Sequence, residues 1–203
     1  MTSGGVLIVC EANVCRSVVA QFVFIEQLRA HRGFESMAVR SRGVNAEPGL
    51  AACRLAEGLR STEDWERQAA SHRATRLEET DVRDASLVLT ASGSVRAAVT
   101  ALVPEARRRV FTLREAVWLS DGYAPSDGLA GEAALDSYVA HLDDRRGLQP
   151  MPAQRRRLWH RTTDPLDVLD GHLIGTRAHA TTIRDVESLS RQIVIGMTRS
   201  GVT

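Results

Sequence analysis

The sequence contains no lysine. Its 26 basic residues are all arginine and are balanced by 25 acidic residues, so the net charge is +1. A surface that binds nucleic acid or a membrane needs an excess of basic charge. The longest apolar runs fall well short of the roughly 18 residues that a membrane-spanning helix requires. The composition therefore predicts neither a nucleic-acid partner nor a membrane partner.

Cysteine is also scarce, with Cys10, Cys15 and Cys53 in the whole chain. An odd number of cysteines, without a basic and then apolar leader at the N-terminus, is typical of the reducing cytoplasm. We therefore expect a cytoplasmic protein. With 203 residues, of which 43% are hydrophobic, the chain is long enough for one globular domain over residues 1–203. Residues 116–162 are too short for a core of their own and are predicted to form an insertion at the edge of that domain.

Strand-like and helix-like segments alternate along the chain. The predicted strands cover residues 6–10, 37–44, 86–90 and 110–112, and the predicted helices cover residues 17–31, 50–60, 78–85, 92–106, 131–146 and 166–197. This alternation predicts an α/β fold with a twisted sheet of four parallel strands, covered by helices on both faces in three layers.

The residues that can carry chemistry concentrate directly after the first predicted strand, in the anion loop (residues 10–17, Cys-Glu-Ala-Asn-Val-Cys-Arg-Ser). A compact turn at the N-terminus of a helix presents backbone N–H groups to a tetrahedral anion, and the carboxyl end of a parallel strand is where ligands bind. The planar fork of Arg16 suits two phosphate oxygens. Cys10 is the predicted nucleophile, since a helix N-terminus and a nearby arginine stabilise a thiolate, and Ser17 offers a hydroxyl to steady it.

The anion loop resembles the signature of the low-molecular-weight protein tyrosine phosphatases, which is C-x-G-N-x-C-R-S-P after a strand. The matching residues are Cys10, Asn13, Cys15, Arg16 and Ser17. Ala12 stands in place of the usual glycine and Val18 in place of the usual proline, while Glu11 brings an acid to the rim, where it would weaken dianion binding if it pointed inward. The resemblance implies a phosphate-binding loop after the first strand, and the residues expected to surround the substrate are Glu11, Ala12, Asn13, Val14, Cys15 and Ser17.

The resemblance also implies a phosphomonoester hydrolase that acts through a phosphocysteine intermediate and needs neither a metal nor another cofactor. In such a reaction the leaving oxygen takes a proton from a positioned acid. The family carries this acid in an Asp-Pro pair ahead of the last helix, and the matching pair is Asp164-Pro165. Asp164 is therefore the predicted general acid.

Aromatic residues that flank a phosphotyrosine ring in the family are missing from this chain. Leu166 and Asp167 follow the Asp-Pro pair, and Asn, Ala and Glu occupy residues 45–47 after the second strand. The sequence therefore favours hydrolysis of phosphomonoesters as such, with a phosphorylated protein or a small phosphomonoester as substrate, over a strict preference for phosphotyrosine.

Two other functions stay open on the same fold. An arsenate reductase needs further cysteines to carry a disulfide away from the nucleophile, and only Cys53 lies outside the loop. A weak phosphate-binding module is favoured by Glu11, Ala12 and the missing aromatics.

The remaining cysteine and histidines have smaller predicted roles. Paired cysteines in the family suggest that Cys15 forms a reversible disulfide with Cys10 and so protects it from irreversible oxidation. His160, His172 and His179 show no metal-ligand spacing and are expected to be surface or partly buried side chains.

Overall fold

The computed structural model describes residues 4–125, 128–148, 150 and 164–199. Its centre is a sheet of four parallel strands in the order β2-β1-β3-β4. The strands are β1 (Val6–Cys10), β2 (Val39–Gly43), β3 (Leu87–Thr90) and β4 (Val110–Thr112). All four lie within the predicted segments, and β1 is buried at every position because its side chains pack into a hydrophobic core on each face of the sheet. The predicted parallel α/β sheet is thus confirmed.

Within the described residues, eight α-helices accompany this sheet. They are α1 (Arg16–Arg29), α2 (Arg54–Glu57), α3 (Glu63–Ser71), α4 (Glu79–Arg83), α5 (Gly93–Leu102), α6 (Leu113–Leu119), α7 (Gly131–Arg145) and α8 (Thr176–Thr198). Two 3₁₀ segments, Pro104–Arg109 and Gly171–Leu173, join them.

The helices pack on both faces of the sheet because side chains alternate along β1. Val6 and Ile8 belong to the larger core with residues of α1 and α8, whereas Leu7 and Val9 belong to a second core with residues of α5. Helices α1 and α8 also pack against each other. The sheet therefore lies between two helical layers, as the sequence predicted.

Several predicted helix boundaries were wrong. The predicted helix 92–106 ends as α5 at Leu102, and a 3₁₀ segment begins at Pro104, because proline lacks the N–H that a continued helix needs. The predicted helix 166–197 begins only at Thr176, after Gly175 with φ 141°. Leu169, which lies within the predicted helix but ahead of α8, is 48% exposed.

Four apolar residues within the later part of the predicted terminal helix are buried. They are Ile183, Val186, Ile193 and Met197. Their spacing of three and four residues turns one stripe of α8 toward the core.

Two short helices were not predicted. Helix α3 buries Trp65 and Ala69 and exposes most of its other residues. Helix α6 follows β4 directly, and Thr112 and Glu115 form a capping box at its N-terminus. The Thr-x-x-Glu spacing is the sequence signal that could have located it.

Helix α7 confirms the helix predicted inside residues 116–162. It packs against α6 and α8, and Leu135, Tyr138 and Leu142 join the larger core. Residues 151–163 lie outside the described residues, so the single domain with an edge insertion stays a prediction. No helix in the described ranges is long and apolar enough to cross a membrane.

Candidate active site

The anion loop connects the end of the central strand β1 to the start of α1. Cys10 lies opposite Gly43 of β2, and the Val44 N–H donates to the Cys10 carbonyl at 3.0 Å. A Cβ on Gly43 would lie 2.7 Å from the Glu11 carbonyl oxygen and 2.8 Å from the Asn13 nitrogen. The loop therefore needs a glycine on the neighbouring strand, because no side chain fits at that distance.

Asn13 holds the middle of the loop in shape. Its φ is 54°, a left-handed value that asparagine tolerates, and it is fully buried. Its Nδ2 donates to Ser17 Oγ at 3.0 Å and to Ser41 Oγ at 2.9 Å. Its Oδ1 accepts the Thr75 N–H at 2.9 Å. Because these bonds reach α1, β2 and the segment after α3, the loop is fixed to three parts of the molecule.

The sulfur of Cys10 faces two hydrogen-bond donors. The Asn13 N–H points at Sγ from 3.3 Å, and Ser17 Oγ lies 3.0 Å from it. Since Ser17 Oγ already accepts from Asn13 Nδ2, its own hydrogen is available to the sulfur. The structure thus brings Ser17 to Cys10, in an arrangement that stabilises negative charge on sulfur.

Arg16 is only 7% exposed, yet its guanidinium reaches a distant segment of the chain. Nη1 donates to the Val168 carbonyl at 3.1 Å, and Nη2 lies 2.5 Å from Asp170 Oδ2. Asp170 was not among the predicted site residues. The signal that could have identified Asp170 is the Asp-Gly pair ahead of α8. Because the terminal helix was predicted to begin at residue 166, this pair fell inside a predicted helix and was not considered as a loop.

Three hydrogen bonds hold the segment before Asp170 at the carboxyl ends of β3 and β4. They run from Thr112 Oγ1 to the Leu166 carbonyl at 2.8 Å, from the Gly93 N–H to Asp167 Oδ1 at 2.6 Å, and from the Val168 N–H to the Ala91 carbonyl at 2.9 Å. This is the same edge of the sheet at which β1 ends in the anion loop. The anchored segment therefore delivers Asp170 to Arg16.

Asp164 occupies a different environment. It is exposed, its Oδ1 accepts the Leu166 N–H at 2.9 Å, and its carbonyl accepts the Asp167 N–H at 3.0 Å. Within the described part of the chain, the hydrogen bonds of Asp164 are thus confined to its own turn. The structure does not bring Asp164 to the anion loop, and its catalytic role stays a prediction.

The residues in the positions of the missing aromatics have structural roles. Leu166 is buried, and Asp167 binds the first N–H of α5. At the second position, Asn45 Nδ2 donates to Glu11 Oε1 at 2.5 Å. Glu11 is exposed, and the bond to Asn45 keeps its carboxylate at the rim of the loop.

Behind the loop lies the rear cluster, formed by Cys15, Cys53 and His179. His179 Nε2 is 2.7 Å from Cys15 Sγ and 3.6 Å from Cys53 Sγ. Hydrogen bonding with Cys15 lowers the pKa of Cys53 to about 6, and the same interaction, together with burial, raises the pKa of Cys15.

The expectation that His179 is a surface or partly buried side chain was wrong. It is buried and contacts two cysteines, because three distant segments meet at the rear cluster. The ring of His172 also stacks edge-on against that of His179, with centroids 4.7 Å apart. His160 lies outside the described residues. All three cysteines are free thiols in this structure, so the Cys10–Cys15 disulfide stays a prediction.

A comparison with family models agrees with the fold and the anion loop. The model described as "Low molecular weight phosphotyrosine protein phosphatase" matches residues 5–123. The chain belongs to this family of phosphatases and is a phosphomonoester hydrolase. The match favours this function over the arsenate reductase and the binding module.

Solved structures of low sequence identity share the fold. A YwlE mutant from Bacillus subtilis is 23% identical, with a TM-score of 0.60 over 97% of this chain and 100% of that chain. A low molecular weight protein tyrosine phosphatase from T. tengcongensis is 23% identical, with a TM-score of 0.60 over 95% of this chain and 98% of that chain. YwlE arginine phosphatase from Geobacillus stearothermophilus is 19% identical, with a TM-score of 0.57 over 93% of this chain and 89% of that chain. No curated protein matches the chain.

Proposed function

We propose that Cys10 is the nucleophile with which this chain hydrolyses phosphomonoesters. The observation that carries the proposal is the sulfur of Cys10, which ends the central strand and faces both the Asn13 N–H and the Ser17 hydroxyl. Arg16, from the same loop, supplies the positive charge. A nucleophilic thiolate, N–H donors and a guanidinium in one loop are the groups that phosphoryl transfer through cysteine requires.

In the first step the Cys10 sulfur attacks phosphorus, the Sγ–P bond forms and the ester P–O bond breaks. Negative charge spreads over the three equatorial oxygens, which the backbone N–H groups of the loop and the guanidinium of Arg16 bind. The backbone of the predicted binding residues, namely Glu11, Ala12, Asn13, Val14, Cys15 and Ser17, encloses the anion in this proposal. In the second step water attacks phosphorus, the Sγ–P bond breaks, and the Ser17 hydroxyl stabilises the departing thiolate.

A carboxyl group must protonate the leaving oxygen and then accept a proton from the attacking water. The sequence points to Asp164, whereas the geometry favours Asp170, whose carboxylate lies 2.5 Å from Arg16. The side chain of Asp170 is 34% exposed, so its carboxylate faces the solvent-accessible side of the site. We assign the general acid to Asp170, with Asp164 as the alternative.

The substrate class follows from what surrounds the loop. At the two positions where the family carries aromatic residues, this chain has a buried Leu166 and an Asn45 that binds Glu11. Neither side chain offers a ring to stack on a phenol. We expect the enzyme to accept phosphomonoesters beyond phosphotyrosine, with phosphorylated proteins as the substrate class that the family implies.

The test is hydrolysis of a small aryl phosphate near pH 6 in the presence of a chelator, with native protein, Cys10→Ser and Cys53→Ser. Cys10→Ser should abolish turnover, while Cys53→Ser, which changes a thiol outside the anion loop, should stay within about threefold of native. Circular dichroism confirms that each variant is folded. Full activity in Cys10→Ser, or a folded native protein without turnover, would overturn the proposal.

A further inference from the structure

The rear cluster places three metal-binding atoms in one small volume. The sulfurs of Cys15 and Cys53 and the Nε2 atom of His179 all lie within 4.8 Å of one another. Two thiolates and an imidazole are soft and borderline ligands, which zinc prefers and which magnesium and calcium do not. We propose that the rear cluster binds one Zn²⁺ ion, with these three side chains as ligands and a fourth position open to water.

The spacing of the ligand atoms fits a tetrahedral ion. With Zn–S near 2.3 Å and Zn–N near 2.0–2.1 Å, a tetrahedral angle places sulfur and nitrogen about 3.6 Å apart. Cys53 Sγ and His179 Nε2 are 3.6 Å apart. Cys15 Sγ and His179 Nε2 are 2.7 Å apart, a hydrogen-bond distance that has to open by about 0.9 Å to meet the same tetrahedral spacing.

The surroundings hold the ligands in place and leave a route for the ion. Cys15 and His179 are 7% and 8% exposed, whereas Cys53 is half-buried and connects the cluster to solvent. The Cys53 N–H donates to the Val14 carbonyl at 2.8 Å, so the start of α2 is tied to the anion loop. The edge-on ring of His172 restricts the imidazole of His179.

The chemistry of the two cysteines also suits a cation. Zinc binds cysteine as the thiolate, so the ion takes the place of the thiol protons when it binds.

Zinc at the rear cluster would restrict the redox chemistry of the loop. A Cys15 sulfur that binds zinc cannot at the same time form the predicted disulfide with Cys10. Metal binding and disulfide formation are therefore alternatives for the same sulfur atom, and zinc would also tie the anion loop to α2 and α8.

The experiment uses the full chain, reduced and freed of metal by chelation. Co²⁺ is added as the spectroscopic probe, and Zn²⁺ is titrated against a chromophoric chelator. Native protein should bind one equivalent, with thiolate-to-cobalt charge-transfer absorption and the d–d bands of a tetrahedral ion. Cys53→Ser and His179→Asn should each weaken binding by at least about 100-fold, since each removes one ligand.

Cys10→Ser is the matched control, because it removes a thiol five residues from Cys15 and should leave metal binding unchanged. Absent binding by native protein would overturn the proposal, as would binding that is lost in Cys10→Ser and retained in Cys53→Ser. A Cys15–Cys53 disulfide that forms on air oxidation in a protein that binds no metal would likewise overturn it. These readouts do not depend on turnover, so they test the metal site independently of the proposed phosphatase mechanism.

Discussion

The anion loop contains two cysteines with contrasting surroundings. The sulfur of Cys10 meets a backbone N–H and the Ser17 hydroxyl, which come from the loop itself and from the first turn of α1. The sulfur of Cys15 meets His179, which is 164 residues away, and lies beside Cys53. One cysteine, Cys10, thus faces hydroxyl and main-chain donors. The other, Cys15, faces a thiol and an imidazole.

This contrast shows how one short loop acquires two kinds of chemistry. Local geometry provides the donors around Cys10, since the first N–H groups of a helix have no partner within the helix and point toward the turn before it. The surroundings of Cys15 depend on how α2 and α8 pack behind the loop. The substitutions below test each side separately.

After the loss of turnover in Cys10→Ser, the largest effect is expected at Asp170. Asp170→Asn should lower kcat by about 100-fold or more for an ester with a poor leaving group, because the proton donor is lost. Asp164→Asn should stay within about threefold. The measurement is steady-state hydrolysis of a series of esters that differ in leaving-group pKa.

The leaving-group series separates proton donation from a structural role. If Asp170 donates the proton, the deficit of Asp170→Asn shrinks for leaving groups that depart without protonation. If Asp170→Asn lowers kcat equally for every ester in the series, Asp170 only positions Arg16 and does not donate the proton. A leaving-group-dependent deficit in Asp164→Asn would return the acid to Asp164.

A methyl group on β2 should damage the Cys10 side of the loop. The new Cβ in Gly43→Ala would lie 2.7 Å from the Glu11 carbonyl and must displace the loop. We expect kcat/KM to fall by about ten- to a hundredfold, since small misplacements of reacting groups are costly. Gly58→Ala is the control, because its nearest neighbour is the Arg54 carbonyl at 3.3 Å. Equal activity in the two variants would contradict the close-packing argument.

In the rear cluster, the thiol of Cys53 should titrate at a lower pH than an ordinary cysteine. Because Cys15 lowers the pKa of Cys53 to about 6, alkylation of Cys53 by iodoacetamide should rise with pH through a midpoint near 6. In Cys15→Ser the midpoint should move upward toward the ordinary value of 9.0. Peptide mapping by mass spectrometry, with chelator present, follows Cys53 alone. An unchanged midpoint in Cys15→Ser would show that the two thiols are not coupled.

The smallest effect is expected at the rim. Glu11 is exposed and bonded to Asn45, so its charge acts on a bound dianion mainly through solvent. Glu11→Gln should tighten inhibition by inorganic phosphate by about two- to threefold at low salt, and the gain should fade as salt is added. A gain larger than tenfold would mean that the carboxylate points into the loop.

The sequence predicted β1, β3 and β4 well because each is a short run of mainly apolar residues that is buried at every position in the sheet. It misplaced the start of α8 because residues 166–175 carry apolar side chains at spacings that imitate a helix. In the structure this segment is irregular, and its backbone bonds to Ala91 and Thr112 outweigh local preference. The Asp170 carboxylate was overlooked for the same reason.

By itself, the sequence determined the strand, the turn and the helix N-terminus that surround Cys10, since these features lie within the twelve consecutive residues 6–17 and follow from local geometry. The tertiary structure alone decided that Arg16 meets Asp170, 154 residues further along the chain, and that Cys15 meets His179. No periodicity or spacing in a sequence records such encounters. They arise because a parallel sheet gathers the ends of distant strands at one edge, and the helices that cover it bring their side chains to the same place.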